Sequence, residues 1–130
     1  MANRMEEPIR ALGKRYVIVA GSFAPNTAGT IDNTSNKGKG FTVAYGGSTG
    51  LFTVTFTDKY ADLISITVSS QLATAADSCM NAGTYNASAR TLVLRNYTGG
   101  SLANIAADAN NRVNFIAVFR NTSITGGTSA

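Results

Sequence analysis

Phe41-Thr42-Val43-Ala44-Tyr45-Gly46-Gly47-Ser48-Thr49-Gly50-Leu51-Phe52-Thr53-Val54-Thr55-Phe56-Thr57 decides the fold. Phe41–Tyr45 alternates apolar with small or polar side chains, and 46–50 supplies a hairpin turn. Beyond the turn, Phe52, Val54 and Phe56 share one strand face while Thr53, Thr55 and Thr57 share the other. One dry face and one wet face are what an antiparallel strand over a core requires.

The same period recurs on both sides of the hairpin. Upstream, Lys14-Arg15-Tyr16-Val17-Ile18-Val19-Ala20-Gly21-Ser22 is β-branched and aromatic and ends at Gly-Ser, a first strand. Residues 23–40 are too polar for a core element and predict a long polar loop, anchored at Ile31. Downstream, Asp58–Asp62 is a connection, and Leu63–Ser70 alternates so as to point Ile64, Ile66 and Val68 inward. Residues 72–82 read either as loop or as the start of a strand. Gly83–Tyr97, turning through Asn86-Ala87-Ser88-Ala89, reads as a second hairpin. Ser101–Asp108 fits one helical turn or an irregular crossover. Arg112–Arg120 is apolar on both faces in its middle, so it belongs at the centre of a sandwich or at a subunit interface.

These signals predict an all-β chain of seven to eight short strands in an antiparallel sandwich or jelly roll. Its expected organisation is an extended arm at 1–13, a single β domain at 14–124 and a flexible tail at 125–130. Composition agrees. Only 14% of the 130 residues are charged, and the polar share is carried by 16 Thr, 12 Asn and 11 Ser beside 13 Gly. Thr favours strands, and Asn, Ser and Gly favour turns. The net charge is +4, most of it before residue 41. That mild asymmetry suits an acidic partner surface or a solvated segment, and it is too weak to imply nucleic acid.

Reaction equipment is sparse. The chain has no histidine, which removes the commonest general base and most zinc sites. Its seven carboxylates lie in the arm, loops or turns; Asp58 and Asp62 flank one turn but lack the oxygen density of a calcium loop. Gly38-Lys39-Gly40 fails the phosphate-loop spacing and reads as a hinge. Four Asn-x-Ser/Thr triplets are what chance gives in so Asn- and Thr-rich a chain. The phenylalanines sit at core periodicity without interleaved basic residues, so they pack and do not stack on bases. Cys79, the single cysteine, reads as a small buried or half-buried filler. Glu6, Glu7, Pro8 and Arg10 interrupt any signal-peptide core, and no run reaches the roughly 20 apolar residues of a membrane span. The expectation is a non-enzymatic binding protein, made and kept soluble in the cytoplasm, with no catalytic residues, cofactor, metal or membrane partner.

Taken together, Leu12–Phe23, Asn36–Phe41, Gly50–Phe56 and Asn111–Asn121 resemble, in order, a group of small virion structural proteins of tailed bacteriophages. The resemblance implies a capsid cement, or decoration, protein: a small β-rich subunit on the outer surface of the head, commonly a homotrimer, that clamps major capsid protein subunits. Under that reading Arg4, Arg10, Lys37 and Lys39 are the expected capsid contacts, and Phe115, Val118 and Phe119 the expected subunit interface. The alternative is a tail-fibre or adhesin-type domain that binds the host surface.

Overall fold

In the computed structural model the decisive hairpin forms as its alternation dictates. Strand β2 (Phe41–Tyr45) pairs antiparallel with β3 (Leu51–Phe56), setting Phe41 opposite Phe56 and Val43 opposite Val54. The structure describes residues 16–25, 31, 33–108 and 110–120; the expected arm at 1–13 and tail at 125–130 lie outside them.

Six further strands complete two antiparallel sheets. They are β1 (Tyr16–Phe23), β4 (Asp62–Gln71), β5 (Ser78–Ala82), β6 (Thr91–Thr98), β7 (Ser101–Leu102) and β8 (Arg112–Arg120). One sheet has the order β1-β8-β4; the other has the order β2-β3-β6-β5, with β7 also paired to β6. The sheets pack face to face as a β-sandwich. Among the described residues there is no α-helix, only a 3-10 turn at Asn33–Ser35.

The core lies between the sheets. All six phenylalanines are buried, and their rings meet across the interface. Phe41 contacts Phe115 at 5.0 Å and Phe56 contacts Phe119 at 4.7 Å between centroids, both edge to face. That is the geometry the ring quadrupole favours. Phe23 completes the row against Phe52, at 5.4 Å.

Phe23 corrects one expectation, since it ends β1 and does not open a loop. The two-residue period continues through Gly21, where a Cβ would overlap the Phe41 ring. Gly38 is equally constrained: it has φ +96°, and a Cβ there would overlap the Ala20 carbonyl. The Gly-Lys-Gly segment is therefore a close-packed crossing over β1, where a hinge was expected.

The described part of 23–40 is laced to the sandwich. Ser22 and Lys37 exchange backbone hydrogen bonds at 2.9 and 2.8 Å, and Ile31 bridges Pro25 while resting on the core. Asn33 accepts a hydrogen bond from the Val43 N–H and donates one to the Val43 carbonyl, both at 2.9 Å. Its amide thus imitates a neighbouring strand on the outer edge of β2, an edge that would otherwise be open to pairing. Asn33→Ala removes both bonds and is expected to cost about 1–2 kcal/mol, read as a lower midpoint in urea.

One other expectation changes, and two open readings are resolved. Ile64 is exposed, because a β-bulge between Leu63 and Ser65 shifts the phase by one residue; Leu63 faces the core in its place, and Ile66 and Val68 face it as expected. Residues 78–82 form a strand that pairs with β6 as the first arm of the second hairpin. Ser101–Asp108 contains no helical turn: it begins as the two-residue β7 and continues as an irregular crossover pinned by buried Ile105.

Candidate functional site

Strand β8 is central in its sheet, and its alternation splits it cleanly. Val113, Phe115, Ala117 and Phe119 point into the sandwich and are buried; Asn114, Ile116 and Val118 point away. Phe115 and Phe119 are thus core residues of the chain itself, with nothing left to offer a second subunit. Of the three expected interface residues, only Val118 lies on the outer face, and it is half-buried there.

Register assembles that outer face row by row. Tyr16, Arg120 and Asp62 form the first row, Ile18, Val118 and Ser65 the second, Ala20, Ile116 and Thr67 the third, and Ser22, Asn114 and Ser69 the fourth. Ile64, displaced outward by the bulge, stands beside Ser65. Fractional exposures are 68% for Ile18, 54% for Ile116, 50% for Ile64 and 45% for Tyr16. Single exposed apolar side chains are ordinary, but a contiguous group on one sheet face marks a contact surface.

The ends of this face are polar. At one end Arg120 and Asp62 approach to 3.7 Å, a pair exposed enough to contribute little stability. At the other, Arg112 donates to Ser22 Oγ at 2.6 Å, to the Ser22 carbonyl at 3.1 Å and to the Ser35 carbonyl at 2.9 Å. Arg112 therefore holds the 3-10 turn beside β1. Lys37 is anchored here through its backbone and, like Lys39, has an exposed side chain. Arg4 and Arg10 lie outside the described residues. An apolar centre with a charged and hydroxylated border is the anatomy of a protein–protein contact.

A second feature is a cavity of about 290 Å³ bordered by Leu72, Ser78, Asn96, Ile105, Asp108 and Asn111. Its buried amides are committed to structure. Asn96 accepts from the Ser78 hydroxyl and donates to the Ala103 carbonyl, each at 2.8 Å. Asn111 accepts from Ala73 N–H at 2.8 Å and donates to the Ala106 carbonyl at 3.0 Å. With Asn104, which accepts from Gly50 N–H at 2.7 Å, they secure the β7–β8 crossover.

Elsewhere, Asp62 serves the Arg120 pair, and among the described residues no three His, Cys, Asp or Glu side chains gather as a metal site. Cys79 is exposed on β5, where a filler was expected, because β5 presents alternate residues to solvent. No helix among the described residues is long and apolar enough to cross a membrane.

Tyr60 is the one described group with a clear pKa shift. Burial, then the nearby Asp58 carboxylate, raises it above its ordinary value of 10.0. Its ring stacks on Phe119 at 4.6 Å. The folded state therefore keeps this proton when the unfolded chain loses it, so the associated stability is complete below pH about 10 and is lost as pH rises through the folded pKa. Tyr60→Phe is expected to flatten the alkaline fall in stability, measured as the difference between the two urea midpoints from pH 8 to 11.

Comparison with known proteins adds no relative: no family model, curated protein or solved structure matches the chain.

Proposed function

We propose that this protein is a non-enzymatic virion structural protein of a tailed bacteriophage, a capsid decoration subunit that binds the assembled head shell. The observation that carries the binding reading is the apolar outer face of the β1-β8-β4 sheet, built from Tyr16, Ile18, Ile64 and Ile116. The resemblance of 12–124 to phage virion proteins supplies the partner, the major capsid protein.

In this reading the sandwich is a rigid mount and the outer face is the adhesive. Burying its half-exposed isoleucines against the shell contributes about 1–2 kcal/mol for each side chain, roughly half the value for a fully exposed one. Lys37, Lys39 and the Arg112 end would meet acidic shell surface and steer the approach. A subunit that binds the expanded lattice but not its dissociated parts stabilises the lattice by mass action, by about 2.7 kcal/mol at a hundredfold excess over Kd.

Copy number tests the assignment. Quantitative gel densitometry of purified particles is expected to give hundreds of copies, added to heads that lack the protein when it is supplied in solution. Tens of copies or fewer, recovered with isolated tails, would instead place it among host-surface binding domains.

A further inference from the structure

The two sides of the sandwich are covered differently, although β5 runs close to β4 across the sheets. On the β1–β2 side, Asn33 covers the edge of β2, the Ser22–Lys37 ladder covers the end of β1, and Phe23 and Phe41 are buried. On the β4–β5 side neither strand contains a single buried residue, although β3, β6 and β8 each bury alternate side chains. Leu63, Ile66, Val68 and Met80 reach the core there but remain only partly covered.

Strand β4 is also an edge. At ten residues it is the longest strand of the sandwich, and among the described residues its only ladder is with β8. Past the bulge, Ser65-Ile66-Thr67-Val68-Ser69-Ser70-Gln71 carries no charge and no proline. Natural edges are normally guarded by lysine, proline, irregularity or a covering segment, and an unguarded regular edge is a template for pairing. Asn33 guards β2; beyond its bulge, β4 carries no such guard among the described residues.

We propose that β4 pairs antiparallel with β4 of a second copy of this chain about a two-fold axis. The sequence of the run selects that occupant. Centred on Val68, the pairing sets Val68 against itself, Ile66 opposite Ser70, Thr67 opposite Ser69, and Ser65 opposite Gln71. Hydroxyls and an amide meet hydroxyls on the outer face, and Val68 and Ile66 gain cover on the inner one. Asp62, the single charge of β4, then lies at opposite ends of the joint, whereas parallel pairing would set two copies of it side by side. The result is a continuous six-stranded sheet in which two apolar outer faces become one surface, an isologous assembly. This inference stands apart from the capsid reading and holds or fails without it.

Sedimentation velocity of the full chain from 1 to 200 µM decides it. The expected result is a reversible monomer–dimer equilibrium. Thr67→Lys with Ser69→Lys places cations opposite one another across the joint, at positions exposed in the monomer, and is expected to raise the dimer Kd at least tenfold with an unchanged circular dichroism spectrum. Thr67→Lys with Ser69→Glu pairs opposite charges and is expected to restore the dimer. A wild-type monomer throughout the range overturns the proposal. So does a trimer, or a dimer indifferent to the double-lysine variant.

Discussion

Phe119→Ala is expected to lower the unfolding free energy by about 3–5 kcal/mol, a large share of the roughly 5–15 kcal/mol that holds a domain together. Phe119 is fully buried and meets Phe56, Tyr60 and Tyr85 with centroid separations of 4.7, 4.6 and 5.0 Å. Deleting the ring removes its transfer free energy and leaves a cavity walled by three rings. Those rings belong to different strands and connections, so they cannot collapse together. Phe119→Leu, which refills most of the volume, is expected to cost about half as much. Urea denaturation of dilute protein measures both. A Phe119→Ala loss below 1 kcal/mol would mean that the residue faces outward after all.

The second large effect is on binding. Ile18→Glu combined with Ile116→Glu places carboxylates in the middle of the outer face, where Ile18 is opposite Val118 and Ile116 is opposite Ala20. Neither residue contributes to the core, so the thermal midpoint is expected to change by only a few degrees. Attachment to purified heads, measured by co-sedimentation, is expected to weaken at least a hundredfold, because burying an unpaired carboxylate costs several kcal/mol. A matched variant on the opposite sheet, Thr53→Glu with Val93→Glu, is expected to leave attachment unchanged. Equal binding by the outer-face variant and wild type would separate this surface from the shell.

The strands were legible because a period of two is hard to disguise. Phe52-Thr53-Val54-Thr55-Phe56 states which face is dry, and the structure places those residues accordingly. Ile64 departs from its expected face because a bulge inserts one residue without a composition signal; past it, Ile66 and Val68 keep the expected phase. Strand β5 stayed ambiguous because Ser-Cys-Met-Asn-Ala offers no apolar alternation; its pairing with β6 is a tertiary fact.

The site was half legible. A strand apolar on both faces must have a second contact, and Arg112–Arg120 announces that, but not which of its faces is the core. Phe115 and Phe119 took the inner face because aromatic rings fill the gap between sheets, leaving Ile116 and Val118 outside. Tyr16-Val17-Ile18-Val19-Ala20 carries the same double signal. Asn33, Asn96 and Asn111 could not have been found this way. An asparagine that satisfies a backbone group looks like any other asparagine until the fold brings its partner into place.

In a reconstruction of decorated heads at side-chain resolution, the β1-β8-β4 sheet is expected to lie against the shell, with Ile18, Ile116 and Ile64 removed from water. Density in which that sheet faces solvent while another surface holds the shell, or density confined to the tail, would contradict that placement.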